Sequence, residues 1–129
     1  MNKLPQHMFV SSTDGALYDT RRKDWAAYFP LRPNYSLNHA DIETVEDLKA
    51  TLRAGPYTGL GGYPLYFIAA DGAVLSFDTV RKHFAVVASS VRDNDCTGGW
   101  RVVACDVNWE DTELICEHSG KRIESAYGN

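Results

Sequence analysis

The chain has 129 residues, with 13 Lys and Arg against 17 Asp and Glu, and a formal net charge of −4 at pH 7. This length fits one domain, and 44% hydrophobic and 23% charged residues exclude a disordered, collagen-like or coiled-coil chain. No apolar run reaches the ~18 residues of a membrane span and no signal peptide is evident, so we expect a cytoplasmic protein without membrane association. The odd count of cysteines (Cys96, Cys105, Cys116) indicates free thiols in a reducing compartment.

The first patterned segment, residues 8–29, resembles a later one, residues 66–92. Each holds an Asp-Gly pair between apolar residues, at 14–15 and 71–72, followed by Asp-Thr and Arg-Lys pairs. Asp-Gly favours the φ > 0 turn of a β-hairpin, and Asp and Thr are good helix caps. We therefore predict a β-β-α duplication, with the hairpins side by side in one sheet and the first helix ending before Pro30. Independent use of the same turn and cap residues is the alternative explanation of the shared pairs.

A helix over residues 44–54 has signals at both ends. Thr44 can cap the first turn, and Asp47 stands three residues later, as in a capping box. Gly55 and Pro56 follow, and this pair stops a helix. The sequence therefore predicts a helix with both of its ends defined.

A hairpin and a second helix are predicted next. Aromatic and branched residues over 63–77 surround the Asp71-Gly72 pair, which predicts a β-hairpin. Apolar residues then recur at helical spacing, after two candidate caps, Asp78 and Thr79. We predict a helix over about 79–92.

The last third of the chain is predicted to be mostly strand. Residues 100–109 alternate in the manner of a strand, 114–116 form a short return strand, and 121–123 are a further candidate. The C-terminal tail, 117–129, is polar.

The predicted elements together specify the fold class. We expect a single α+β domain over 1–129, with an antiparallel sheet of two or three hairpins and two or three helices on one face. The acidic stretch 93–117 carries seven acids and one base. It is either a solvated edge or a recognition surface, and the sequence leaves both readings open.

Trp109, Glu110, Asp111 and Tyr57 are the candidate binding residues. Trp109 stands at a strand end beside two acids, and Trp is enriched among the residues that dominate interface energies. The alternative is that Trp109 covers the core against the helix over 79–92. Tyr57 lies in a glycine-rich loop that runs from helix to strand without a Lys, which argues against a phosphate loop. These residues predict a protein partner; a homo-oligomer is also compatible, whereas the acidic balance argues against nucleic acid.

Cys116 and His118 are the candidates for chemistry. The run from Cys116 to Lys121 resembles half of a zinc knuckle, but Ser119 occupies the position of the second sulfur ligand. Cys116 and His118 could also form the nucleophile and the base of a cysteine enzyme, although the sequence indicates no acid to orient the histidine. We therefore assign no catalytic residue, no metal ligand and no cofactor.

Most of the chain resembles one family. The matching segments are LRAGPY at 52–57, GGYPLYF at 61–67, DGAVLSF at 71–77, WRVV at 100–103, VNWED at 107–111 and CEHSGKRIESAY at 116–127. They resemble small accessory proteins, without an assigned activity, that plasmids, integrative conjugative elements and prophages of Gram-negative bacteria carry. The resemblance implies a bacterial cytoplasmic accessory protein and transfers no catalytic residue.

Our functional prediction follows from these observations. We expect a non-enzymatic protein-interaction module, encoded by a mobile genetic element and acting on host or element proteins. Two alternatives stay open: a small enzyme that depends on Cys116 and His118, and a degenerate zinc-knuckle-like binding module.

Overall fold

The structure, a computed structural model, describes residues 5–11, 16–21, 40–59, 61–95 and 99–127. It confirms the α+β class, with antiparallel sheets and three helices in these ranges. The elements are β1 Met8–Val10, β2 Leu17–Asp19, β3 Ala40–Asp41, α1 Val45–Ala54, β4 Leu65–Ala69, β5 Val74–Leu75, α2 Phe77–Lys82, α3 Phe84–Arg92 and β6 Val102–Val107. None of the helices in the described ranges is long and apolar enough to span a bilayer.

The main sheet has four antiparallel strands in the order β3-β6-β4-β5. β6 pairs with β4 through partners that include Phe67↔Cys105 and Ile68↔Ala104, and all six residues of β6 are buried. α3 contacts β6, and α2 contacts β4. The predicted strand at 100–109 and the hairpin at 63–77 are therefore both present, and they form the centre of the core.

The first hairpin, β1–β2, forms a separate two-stranded sheet, so the expectation that both hairpins share one sheet is wrong. Its register also differs by one residue from that of the second hairpin. Phe9 pairs with Tyr18 across eight intervening residues, whereas seven residues separate the paired Phe67 and Leu75. The Thr20 hydroxyl donates to the His7 carbonyl within this hairpin, and a 2.5 Å contact of the His7 ring with the Ala70 carbonyl holds β1–β2 beside the second turn. The first Asp-Gly turn and the first predicted helix lie outside the described residues.

α1 forms as the capping signals predict. The Thr44 hydroxyl accepts a hydrogen bond from the Asp47 N–H, and the Asp47 carboxylate accepts one from the Thr44 N–H. Gly55, with φ of +98°, ends the helix in a backbone region that favours glycine. Leu48 is fully buried on the face turned toward the core.

The second predicted helix is wrong in its start and in its continuity. α2 begins at Phe77 because Ser76, in an extended conformation, caps it with a hydroxyl that accepts the Thr79 N–H. The chain leaves helical geometry at His83 (φ −110°, ψ 30°) before α3 begins. The His83 ring lies 4.9 Å, between ring centroids, from Trp100, and this packing accompanies the break.

The segment after β6 does not return along that strand, so the predicted return strand pairs elsewhere. Ile115 pairs with Arg122 instead, in a small hairpin whose turn includes Gly120 at φ +73°. The Ile123 N–H donates to the Leu114 carbonyl, and both side chains are buried. The polar segment after residue 117 is therefore packed on the domain as far as residue 127.

Candidate functional site

Three rings form a cluster at the surface beside the end of β6. We call Tyr63, Trp109 and Tyr127 the aromatic cluster. The Tyr63 and Trp109 centroids are 4.5 Å apart, and the Trp109 and Tyr127 rings stack at 6.2 Å with an interplanar angle of 10°. Tyr127 is 54% exposed, and the other two rings are half-buried. Trp109 therefore packs against tyrosines at the surface, with one side toward solvent.

Buried Asn108 holds the backbone around this cluster. Its side-chain N–H groups donate to the carbonyls of Asp111 and Glu124, each at 3.0 Å, and its side-chain oxygen accepts the Asp111 N–H. The Tyr127 N–H in turn donates to the Trp109 carbonyl at 2.8 Å. These bonds join the turn after β6 to the C-terminal segment, and they position Trp109 and Tyr127 together.

Tyr57 approaches the same region from the loop between α1 and β4. The Thr58 N–H donates to the Tyr63 carbonyl, and the Tyr63 N–H donates to the Thr58 hydroxyl, so the loop closes on itself. The Tyr57 ring is 47% exposed, and its hydroxyl donates to Glu124 Oε1 at 2.7 Å. Donation to this carboxylate raises the pKa of Tyr57. Tyr57 and Trp109 therefore both contact the C-terminal segment, Tyr57 through Glu124 and Trp109 through Tyr127.

The charged residues that follow Trp109 in the chain are acidic, and Arg122 contacts this stretch through a 2.6 Å hydrogen bond from its Nε to the Thr112 carbonyl. Glu110, Asp111 and Glu113 are exposed, and no Lys or Arg occurs between residues 107 and 115. Glu124 is exposed on the neighbouring segment. The four predicted binding residues therefore lie together with two rings that the sequence analysis missed, Tyr63 and Tyr127. The available signals were that Tyr63 follows a glycine-rich loop and that Tyr127 is an aromatic residue in the polar C-terminal tail.

Cys116 is the second feature of interest. Its side chain is fully buried, and Thr79 Oγ1 lies 3.3 Å from its sulfur. Burial alone raises the pKa of the Cys116 thiol, but hydrogen bonds outweigh it and lower that pKa to about 6. The donors are the hydroxyls of Ser119 and Thr79 and the backbone N–H groups of Ser119 and Ser76. These donors favour the thiolate form of the sulfur.

Two turns with the same spacing surround this sulfur. Ser76 and Thr79 stand three positions apart on one turn, as Cys116 and Ser119 do on the other, and the Ser76 and Thr79 oxygens are 3.1 Å apart. We call these four residues the thiol-hydroxyl tetrad. Its spacing is that of two zinc knuckles, with hydroxyls at three of the four positions. The Cys116 half was predicted from the sequence, whereas the Ser76 half was not, although the spacing of Ser76 and Thr79 was an available signal.

The remaining chemical candidates differ from Cys116 in their surroundings. His118 is exposed and packs edge-on against the His83 ring at 4.6 Å, whereas Cys116 has no exposed surface. Cys105 is buried beside Asp106; burial and that neighbouring charge raise its pKa to about 12. In the part of the chain that the structure describes, no three His, Cys, Asp or Glu side chains form a group able to hold a metal. Cys96 lies outside that part.

Comparison with known proteins adds no identity to this site. Neither the family models nor the curated proteins nor the solved structures with which the chain was compared give a match.

Proposed function

We propose that the protein is a protein-binding module that uses the aromatic cluster to bind a segment rich in Lys and Arg. The observation that carries this proposal is the surface stack of Trp109 on Tyr127, with Tyr63 packed against both rings at 4.5 and 6.3 Å between centroids. Indole and phenol faces attract cations, and Trp and Tyr contribute strongly to protein interfaces.

Charge complementarity identifies the chemistry of the partner. Glu110 and Asp111 are exposed next to Trp109, and Glu124 adds a third carboxylate. A guanidinium or ammonium group over the indole would meet these acids at the rim, where opposite charges speed association and select the partner. An acidic or purely apolar segment would carry no positive charge to pair with these carboxylates, so we expect it to bind more weakly. The partner is proposed to be a host protein or a protein of the element that carries the gene, as the sequence resemblance implies.

A peptide-binding measurement tests the proposal. The probes are three labelled peptides of one length, in which the same positions hold Lys and Arg, Gln, or Glu. Fluorescence anisotropy with the full chain should detect binding of the basic peptide only. Trp109→Ala should weaken binding of the basic peptide at least tenfold, since the indole of the aromatic cluster is lost. Phe9→Ala, which removes a ring that is 45% exposed on the other sheet, is the matched control and should change nothing.

A second pair of variants separates a local contact from general attraction to an acidic protein. Glu110→Gln/Asp111→Asn should weaken the basic peptide severalfold, whereas Glu43→Gln/Glu46→Gln, with the same change in net charge, should not. If Trp109→Ala stays folded by circular dichroism and binds the basic peptide as the parent does, the proposal is wrong. Equal effects of the two double variants would also contradict it.

A further inference from the structure

A cavity of about 660 Å³ opens between α2 and the turn after Cys116. Its size lies within the range of small-molecule sites, roughly 300–1,000 Å³. It is separate from the aromatic cluster, because Tyr63, Trp109 and Tyr127 do not line it. Its lining residues come from α2 and from the hairpin that contains Gly120, and the Thr79–Cys116 contact joins these two elements.

The cavity is cationic although the chain as a whole is acidic. Arg81, Lys82, Lys121 and Arg122 line it, with Asp78 as the one acid of the lining. Four positive charges against one negative charge stand out in a chain whose net charge is −4. A local field of this sign concentrates anions at the cavity.

Two of these cations are available to a ligand. No ion pair joins Lys82 or Lys121 to a carboxylate among the described residues. Arg81 is held in place by a 3.2 Å hydrogen bond to the Leu52 carbonyl. An ammonium group presents three donors to phosphate oxygens, so a pair of lysines beside a fixed guanidinium suits a phosphate group.

The same cavity is lined by aromatic rings. His83 and His118 both line it, their centroids are 4.6 Å apart, and each also packs on Trp100, at 4.9 and 5.0 Å. Flat rings beside cations match a ligand that joins an aromatic ring and a phosphate.

We infer that this cavity binds a nucleoside monophosphate, with the phosphate on Lys82 and Lys121 and the base against the rings of His83 and His118. The site is independent of peptide binding at the aromatic cluster, so either activity can fail without the other.

Calorimetric titration of the full chain with the four common ribonucleoside monophosphates tests this assignment. At least one nucleotide should bind, and the corresponding nucleoside and ribose 5-phosphate should each bind at least tenfold more weakly. Lys82→Gln/Lys121→Gln should weaken the nucleotide at least tenfold. Lys49→Gln/Arg53→Gln on α1 removes the same charge outside the cavity and should leave the affinity unchanged.

Several results would overturn the assignment. These are no binding of any of the four nucleotides, equal binding of nucleotide and ribose 5-phosphate, and equal losses in the two double variants. A single-stranded oligonucleotide that binds far more tightly than any mononucleotide and displaces it would instead indicate a nucleic-acid surface. Trp109→Ala should leave nucleotide affinity intact.

Discussion

Thr79 Oγ1 lies 3.3 Å from Cys116 Sγ, across 37 positions of the sequence. This contact joins the first turn of α2 to the C-terminal hairpin, and it places a hydroxyl donor on a buried sulfur. A thiolate that accepts several hydrogen bonds is stabilised relative to the thiol, so the contact has consequences that can be measured by titration.

Thr79→Val should raise the pKa of Cys116. The substitution keeps the shape of the side chain and removes one donor, and a hydrogen bond to a charged group contributes about 1.5–3 kcal/mol. We expect a rise of roughly one unit from a pKa of about 6. Thiolate absorbance near 240 nm against pH, with Cys116→Ala as the baseline, gives the value. An unchanged titration in Thr79→Val would show that the hydroxyl does not stabilise the thiolate.

Stability should rise with pH between about 6 and 9. The pKa of Cys116 is about 6 in the folded chain against 9.0 for an ordinary cysteine thiol, so deprotonation of Cys116 stabilises the folded state. This contribution is present above pH 9 and disappears as the pH falls through 6. Cys105 acts in the opposite direction above pH 9, because its pKa is raised to about 12 in the folded chain.

Urea unfolding at pH 6 and pH 8.5 measures this dependence. The free energy of unfolding should increase across the interval in the parent chain and increase less in Cys116→Ala. The same slope in both proteins would mean that the Cys116 thiolate makes no contribution.

Three substitutions should convert the tetrad into a zinc site. Ser76→Cys/Thr79→Cys/Ser119→Cys places four sulfurs where two turns of knuckle spacing face each other. Tetrahedral Zn²⁺ with bonds of about 2.3 Å needs sulfurs ~3.7 Å apart, and the 3.1 and 3.3 Å oxygen contacts require only small outward shifts. Cobalt substitution should give the absorption bands of tetrahedral thiolate coordination. Adding Cys116→Ser should weaken or abolish these bands, and their absence in the folded triple variant would contradict the geometry.

Asn108→Ala should destabilise the domain by about 2–3 kcal/mol, since it leaves buried backbone groups without partners. The Asn108 amide donates to the carbonyls of Asp111 and Glu124, and it accepts a hydrogen bond from the Asp111 N–H. Asn108→Asp keeps the shape, loses both N–H donors and should be at least as harmful. Chemical denaturation measures both variants. A loss of less than about 0.5 kcal/mol in the free energy of unfolding would show that the Asn108 hydrogen bonds do not stabilise this region.

Gly61→Ala should disturb the aromatic cluster through a clash with Tyr63. Gly61 has φ of +90°, and a Cβ there would lie 2.6 Å from the Tyr63 ring, so the ring or the loop has to move. Gly59→Ala is the control, because a Cβ at Gly59 meets nothing within 4 Å. We expect weaker binding of the basic peptide for Gly61→Ala and parent-like binding for Gly59→Ala. Equal affinities would show that the position of Tyr63 is unimportant.

Sequence patterns predicted the parts of this fold that depend on neighbouring residues. The capping box of α1 and the Asp71-Gly72 hairpin each involve groups within a few positions, and both formed as expected. The break at His83 was missed because helical periodicity continues across it, and its packing partners Trp100 and His118 come from later segments.

The functional features that were missed also depend on distant contacts. Local alternation does not state which strand a segment will pair with, so Ile115 was paired with the wrong neighbour. Tyr63 and Tyr127 become part of one surface only when the C-terminal segment returns to β6. Ser76 and Thr79 become part of the tetrad only because the fold packs α2 against Cys116, and no local pattern predicts that contact.

The hydrogen bonds from Ala126 to Asn108 and from Tyr127 to Trp109 also bear on the order of events during translation. A nascent chain that has emerged only as far as Arg122 contains Trp109 but lacks the segment that stacks on it. The binding surface is therefore absent while β4, β5 and β6 are already available to pair, since domains begin to fold from the portion synthesised first. A partner that recognises the complete stack would therefore not bind nascent chains from which residue 127 has yet to emerge.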